Sequence, residues 1–476
     1  MPWIAAMIEP VTDPSVIEGY LTDASNVRGH ADGLLRPTST EEVAAIVRHC
    51  QDNDIALTVT AQRTSTTAGP VPFGGWLLSM ERMSTIEHIG PDHATAQGGV
   101  ILGQFQAEIE RTGRLFPPDP TSRHECSLGA AIACNASGAR SFRYGPTRPW
   151  IEAIEVVLPT GQVMNVERGD PVPPDWPVPS WVEPSVKTAA GYFPATDLLD
   201  LFIGQEGTLG IITKARVKLV ALPEQVLGVL AFFKDRQTAV TAMMRLRDSG
   251  RANAAGALSP RCIEYLDHHC LDLCRQRVDD VPDPARAALF CEQEVESVGE
   301  EGHLEAWWEL LEDVGALADD TIVTTDDIGR AKLHALRHAV PAGVNERVVA
   351  NGMPKVGTDL AVPDDSLLTM MDAYEAAPVE HVLFGHIGDN HLHLNLLPTN
   401  DAELQICRDF YKDLADKAVR LGGTVSAEHG IGKIKKQALA VLLDARTLQE
   451  FRRLKRFMDP AWILGRGTLF DHPKSG

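Results

Sequence analysis

No stretch of this chain reaches eighteen consecutive apolar residues, so the sequence offers no membrane-spanning helix. No G-x-G-x-x-G turn opens a helix after a strand, and no G-x-x-x-x-G-K-S/T loop occurs. Neither a Rossmann dinucleotide site nor a P-loop is supported. Basic residues are scarce: 44 Lys and Arg stand against 65 Asp and Glu, for a formal net charge of −21. That balance argues against nucleic acid and against an anionic membrane surface as partners. The eight cysteines are too scattered for a disulfide framework, a zinc knuckle or an iron–sulfur cluster. Cys262, Cys270 and Cys274 are the closest group, and their spacing reads as one face of a helix across C-I-E-Y-L-D-H-H-C-L-D-L-C. Scattered free thiols point to a reducing compartment, hence to the cytoplasm. The opening M-P-W-I-A-A-M-I-E-P has no basic region followed by a long apolar core, so no signal peptide is expected.

What is present is ordinary globular composition, 44% hydrophobic and 23% charged, in 476 residues. That length exceeds what one core organises, so two or three domains are expected. Up to about residue 222 strand-like and helix-like pieces alternate. Residues 40–48 read as an amphipathic helix that Thr38, Ser39 or Thr40 can cap, with glutamates in the first turn. Residues 56–60 (A-L-T-V-T) follow as a strand. Beyond Pro223 the texture changes to a second α/β region, with a strand at 226–233 and helices at 239–248 and 304–312. From 421, a glycine turn leads into a mostly helical end. The Pro- and Trp-rich run 172–181 reads as an ordered surface insertion, and no internal repeat is visible.

Two features carry chemistry. The first is a set of three small-residue loops at 61–69, 127–138 and 204–210, the last running into a strand at 211–213. Such loops bring backbone N–H groups close to an anion, and together they favour a nucleotide-type cofactor over ordinary turns. The second is H-I-G-D-N-H-L-H-L-N at 386–395 followed by S-A-E-H-G-I-G at 426–432. His386, His391, His393, Glu428 and His429 are candidate ligands of a catalytic divalent ion, since imidazoles plus one carboxylate leave a position open for substrate. If 391–395 is extended, His391, His393 and Asn395 fall on one face, and His386 joins them from the Gly388-Asp389 turn. The alternative is a set of core or surface histidines.

These segments resemble one family. P-P-D-P at 117–120, the 129–138 segment, K-T-A-A-G-Y at 187–192, L-F-I-G-Q-E-G-T-L-G-I-I at 201–212 and the two histidine segments occur in family order. They resemble the FAD-linked oxidases of the vanillyl-alcohol-oxidase/p-cresol-methylhydroxylase fold, nearest to the branch of D-lactate, glycolate and D-2-hydroxyglutarate dehydrogenases. The resemblance spans nearly the whole chain. It implies an α+β protein: a two-subdomain FAD-binding domain (1–222), an α/β cap or substrate domain (223–420) and a helical C-terminal segment (421–476) packing back on the first. It implies FAD against Gln62, Arg63, Thr64, Ser65, Thr66 and Thr67 of the pyrophosphate loop. Pro118, Asp119, Thr121, Gly129, Ala133, Asn135, Ser137 and Gly138 match further flavin positions, as do Glu206, Gly207, Ile211 and Ile212.

The same resemblance makes His386, His393 and Glu428 ligands of a divalent metal, zinc or manganese first among the candidates. His429 becomes the base and Arg337 the partner of a substrate carboxylate. The implied reaction is oxidation of a (R)-2-hydroxy acid to the 2-oxo acid by hydride transfer to flavin. Electrons would leave to a quinone, a cytochrome or an electron-transfer flavoprotein, which would allow a membrane-peripheral location; a homodimer is compatible. Another alcohol as substrate, or a non-catalytic electron-transfer subunit, are the alternatives within the fold. A flavin-free metal hydrolase is the rival outside it.

The chain departs from the family pattern in places. The pyrophosphate loop, glycine-rich in the family, reads A-Q-R-T-S-T-T-A-G, and it contains no histidine for a histidyl–flavin bond. Position 391 is His where many relatives have Asn. Gly465-Arg466-Gly467 replaces N-P-G, which leaves Arg466 either near the flavin or at the surface. Lys355 is a candidate second carboxylate contact, which would favour a dicarboxylate.

Overall fold

The computed structural model describes residues 9–277, 280–295 and 301–472; residues 1–8, part of the stretch read above for a leader, lie outside these. The first layer is a parallel sheet of β1 (Gly33–Leu35), β2 (Leu57–Thr60) and β3 (Trp76–Ser79), in the order β1-β3-β2. The helix Thr40–Asp52 packs on it through Val43, Ile46, Val47 and Cys50. Ser39 is the cap: its Oγ accepts from Glu42 N, while Glu42 Oε2 accepts from Thr38 N at 2.6 Å.

The second layer takes in β4 (Ile86–Ile89), β5 (His93–Gln97), β6 (Arg114–Leu115), β7 (Ile151–Val157), β8 (Val163–Glu167), β9 (Ile211–Lys218) and β10 (Val220–Ala221). Five of them form an antiparallel sheet in the order β4-β5-β9-β7-β8, and β6 pairs with β10. The 127–138 stretch, read as a loop, holds a short helix, Leu128–Ala133, whose Ser127 Oγ accepts from Ala130 N at 3.3 Å.

The third layer is an eight-stranded antiparallel sheet. It contains β11 (Gln225–Phe233), β12 (Pro260–Asp267), β13 (Ala287–Val295), β14 (Ile322–Thr324), β15 (Val356–Gly357), β16 (Leu360–Ala361), β17 (His381–His386) and β18 (His391–Leu396). Both faces are covered, and the period of two is visible in the cores. Leu227, Val229, Ala231 and Phe233 enter one core with the helices Arg236–Ala252 and Glu301–Asp313, whereas Leu230 and Phe232 enter another with His268–Arg275 and Asp327–Asn351.

The three cysteines do not share one helix. Pro260–Asp267 is a strand with every residue buried, and the helix starts only at His268, where Asp267 Oδ1 accepts from Cys270 N at 2.8 Å. Cys262 and Leu266 face one core and Ile263 and Tyr265 the other, so burial on both sides overrode the helical spacing. Cys270 and Cys274 alone share a helix face.

The end of the chain returns to the first sheet. Residues 421–435 carry no helix, and the helices Lys436–Leu442 and Ala445–Met458 follow. Leu57 N donates to Ile463 O at 2.8 Å, and Gly465 N donates to Leu57 O at 3.1 Å, so residues 463–465 line the edge of β2. The buried Lys455 Nζ holds this return, donating to Asp459 Oδ2 (2.5 Å), Leu464 O (2.9 Å) and Thr208 O (2.7 Å) in the third loop.

Candidate active site

All three small-residue loops open onto one cavity of about 970 Å³. That is the upper end of the size range for small-molecule and cofactor pockets. Gln62, Arg63, Thr64, Ser65, Thr66, Thr67, Thr121, Gly129, Ala133, Ser137, Glu206, Gly207, Ile211 and Ile212 line it. Pro118, Asp119, Asn135 and Gly138 do not; they brace its wall. Pro118 O accepts from Gln106 Nε2 at 2.6 Å, Asp119 Oδ1 from Arg140 N at 3.0 Å and Asn135 Oδ1 from Arg148 N at 2.9 Å. A Cβ at Gly138 would stand 2.0 Å from Asp119 O, so this crossing admits only glycine.

Four left-handed positions in these loops are filled by residues other than glycine. Arg63, Ala68, Asn135 and Glu206 have φ of 60°, 58°, 47° and 54°, a left-handed conformation uncommon for residues with a Cβ. Non-glycine residues stay there only where the surroundings impose it. Glu206 shows how. Its carboxylate accepts from Ile431 N (2.9 Å) and Gly432 N (2.7 Å), tying the third loop to the histidine-bearing segment. Burial raises its pKa to about 7, although those N–H groups and Lys435 and Lys433 pull it down.

The second half of the cavity is built on β17 and β18. His386 closes β17, directly across from His391 in the antiparallel register, and does not reach in from the following turn. Ligand atoms of His386, His391, His393 and Glu428 all lie within 4.8 Å of one another. His386 and His393 are each anchored by Nδ1: one faces Glu264 Oε1 at 2.5 Å, the other Thr358 O at 3.2 Å. Their Nε2 atoms face Glu428, at 3.2 Å from Oε1 and 4.0 Å from Oε2. An imidazole anchored through one nitrogen presents the other to a metal, which is the usual outer support of a metal-binding histidine. His391, fully buried, sets Nε2 3.0 Å from Asp359 Oδ1 and Nδ1 3.7 Å from Glu428 Oε1, neither in well-formed hydrogen-bond geometry. The donor set of two or three imidazoles and a carboxylate fits a divalent cation.

Electrostatics within the chain already balance these groups. Burial opposes charge on His386, but Glu264 and Glu428 outweigh it and raise its pKa to about 9. Burial would raise Glu428, yet His386, Lys187 and His391 hold it well below the ordinary carboxylate range. Lys187 Nζ and Ser137 Oγ both donate to Glu428 Oε1, at 2.7 and 3.1 Å.

Asp359 is the hub that sequence reading passed over. It is fully buried and accepts from Ser426 Oγ (2.6 Å), Lys435 Nζ (2.9 Å) and the backbone N–H of His429 (3.0 Å). His429 Nδ1 stands 3.4 Å from its Oδ2, and the His429 ring stacks on His393 at 5.5 Å. Burial is the main influence lowering the His429 pKa, and Asp359 opposes it in part. Glu264 was also missed. It lies inside a fully buried strand and takes Arg337 Nε (3.0 Å) and Nη2 (2.6 Å) on the oxygen that His386 does not use. Arg337 thus reaches the cavity with two of its donors already engaged, and Pro341, one turn on, has no N–H for the Arg337 carbonyl. A carboxylate inside an apolar strand was the signal for Glu264. Lys355 lines the cavity, whereas Arg466 points to Asp54, its Nη2 donating to Oδ1 at 2.7 Å.

Two family models match the chain: "FAD linked oxidases, C-terminal domain" over residues 222–469 and "FAD binding domain" over residues 31–167. The chain belongs to the FAD-linked oxidases, and its fold is that of the vanillyl-alcohol-oxidase/p-cresol-methylhydroxylase flavoproteins. It is similar to the glycolate oxidase subunit GlcD of Bacillus subtilis, with 28% identity covering 92% of this chain and 89% of that protein. It is 29% identical to a D-lactate dehydrogenase of Anaerostipes hadrus, covering 95% and 92%. It is 30% identical to the mitochondrial D-2-hydroxyglutarate dehydrogenase of Bos taurus, covering 95% and 80%. Among solved structures, an alkyldihydroxyacetonephosphate synthase superimposes with a TM-score of 0.65 over 92% of this chain and 77% of its own, at 18% identity, a likeness of fold.

Proposed function

We propose that this chain is an FAD- and divalent-metal-dependent dehydrogenase that oxidises a (R)-2-hydroxy acid to the 2-oxo acid. One observation carries the reading: His386 and His393 turn their free nitrogens toward Glu428 in the same cavity that the three cradle loops line. Gln62 to Thr67, Gly129, Ala133, Ser137 and the 206–212 turn would hold FAD, and its domain would run to residue 222. His386, His393 and Glu428 would hold the metal, with His391 beside them. Bound here, FAD would supply the acceptor for a hydride from the substrate carbon, and a divalent metal would supply Lewis acidity at the substrate hydroxyl.

The chain's own residues do the rest. His429, neutral near pH 7 because burial lowers its pKa, takes the hydroxyl proton. Asp359 fixes its backbone and faces its Nδ1, so its ring orientation is set before substrate arrives. Arg337, oriented by Glu264, offers its remaining N–H donors to the substrate carboxylate and keeps that positive charge in place. His386 would release its proton on binding a metal, making metal affinity pH-dependent. Among the described residues no helix is long and apolar enough to cross a membrane. The cytoplasm is the proposed setting, with a quinone, a cytochrome or an electron-transfer flavoprotein as acceptor.

The test is anaerobic bleaching of the yellow purified protein by D- and L-2-hydroxy acids, with and without a chelator. Reduction by the D series, lost after chelation and restored by Zn²⁺ or Mn²⁺, supports the reading. A colourless protein that takes up no FAD, or bleaching indifferent to chelators, overturns it.

A further inference from the structure

One imidazole of the cluster is placed differently from the others. His386, His393, Glu428 and His429 line the cavity, whereas His391 lies behind them with none of its surface exposed. It stands on β18 directly across from His386. Its ring centre is 4.4 Å from that of His393 and 5.4 Å from that of His386. Among the described residues, neither of its nitrogens finds a well-formed hydrogen bond. Two unpaired polar atoms on a fully buried ring are costly, and such a group calls for a partner from outside the chain, a water or an ion.

The orientation of the ring shows which nitrogen that partner would meet. His386 and His393 each set one nitrogen on an outer acceptor, Glu264 Oε1 and Thr358 O, and turn the other toward Glu428. His391 follows the same plan. Its Nε2 is 3.0 Å from Asp359 Oδ1 on one side, and its Nδ1 is 3.7 Å from Glu428 Oε1 on the other. A carboxylate behind the ring and an unengaged nitrogen in front is the arrangement that supports a metal-binding histidine. Asp359 is itself held in place: Oδ1 accepts from Glu428 N at 3.2 Å, and Oδ2 from Ser426 Oγ, Lys435 Nζ and His429 N. Lys187 and Ser137 also reach this centre, but both donate to Glu428 Oε1.

We propose that His391 Nδ1 is a fourth protein ligand of the divalent ion, and that the resulting set of three imidazoles and one carboxylate selects zinc over manganese. This rests on the metal-dependent reading above. Oxygen ligands suit Mn²⁺ and imidazole suits Zn²⁺, so a third imidazole moves the preference toward zinc. His391 joins the cluster from behind the cavity wall, so the added ligand leaves the cavity side free for substrate. Asp359 then stands behind a ligand and the base at once, with His391 at Oδ1 and His429 at Oδ2.

The experiment uses the flavin-loaded protein and His391→Asn, whose side chain keeps an N–H for Asp359 but offers no imidazole. X-ray absorption at the zinc edge of the zinc-loaded proteins counts imidazole ligands. Competition against a chelator measures Zn²⁺ and Mn²⁺ affinity. Three imidazoles are expected in wild type and two in His391→Asn. Zn²⁺ affinity should fall by at least the ~10–100-fold that loss of an outer partner alone produces, and Mn²⁺ affinity by less. Two imidazoles in wild type overturn the inference and leave the metal-dependent dehydrogenase standing, and an unchanged Zn²⁺ to Mn²⁺ preference in His391→Asn does the same. A wild-type protein that binds no zinc overturns both. Three imidazoles on zinc in a protein whose flavin no 2-hydroxy acid reduces uphold the fourth ligand and overturn the dehydrogenase. The wild-type count decides even where His391→Asn fails to fold.

Discussion

Lys187 Nζ donates to Glu428 Oε1 across 2.7 Å, where the two side chains are 5% and 8% exposed. A buried cation therefore rests on the carboxylate proposed as a metal ligand. Removing one member of such a pair costs about 3–5 kcal/mol, because the other charge stays buried without it. Lys187→Met should melt lower than wild type when metal-free. A divalent ion restores positive charge at Glu428, so the rise in Tm on adding Zn²⁺ or Mn²⁺ should be larger in the variant. Equal rises in a thermal-shift titration would show that Lys187 and the ion do not act on the same carboxylate.

His386→Ala and His393→Ala should each abolish turnover and lower the metal content found by elemental analysis. The cradle loops belong to other segments, so flavin absorbance should persist in both variants. Loss of flavin together with metal would mean that the two halves of the cavity are not separable sites.

His429→Asn should keep metal and flavin and slow flavin reduction on the order of 10²–10⁴-fold even at saturating substrate. Arg337→Lys should differ in stopped flow. Lys cannot reproduce the two-pronged grip on Glu264, so the variant should bind substrate weakly and recover part of its rate as substrate concentration rises. Wild-type reduction by His429→Asn would transfer the base role to His391.

Glu206 supplies a pH test. Burial raises its pKa in the fold to about 7, from an ordinary value of 4.5. The folded state then holds the proton more tightly than the unfolded chain. Its contribution to stability is full below about pH 4.5 and is lost as pH rises through about 7. Urea unfolding of the flavin-free protein should show the stability of wild type relative to Glu206→Gln declining across that window. A difference that stays flat with pH would place the Glu206 pKa at its ordinary value.

The sequence made the histidine strand legible because period-two spacing and flanking leucines survive folding unchanged. The run 391–395 is extended, with His393 turned to the cavity and Leu392 and Leu394 in the core. It could not reveal Glu264 or Asp359 as partners, because each acts across more than sixty residues of sequence: Glu264 on His386 and Arg337, Asp359 on Ser426 and His429. The cysteine spacing misled for a related reason. The helical period spanned Asp267, which ends a strand and caps the next helix. The three loops were legible from their small residues, but the turn positions within them were not, since Arg63, Ala68, Asn135 and Glu206 carry the positive φ that glycine would signal.

The pairing of Leu57 with residues 463–465 bears on how the molecule is made. A ribosome delivers β2 some four hundred residues before the segment that lines its edge. During that interval the edge is exposed, and it is the kind of surface that recruits other chains. Lys455, buried between Thr208 and Leu464, fastens the late segment to the third loop. Completion of the cofactor chamber thus waits for residues 455–465, and FAD present at that moment would favour closure by binding only the finished form.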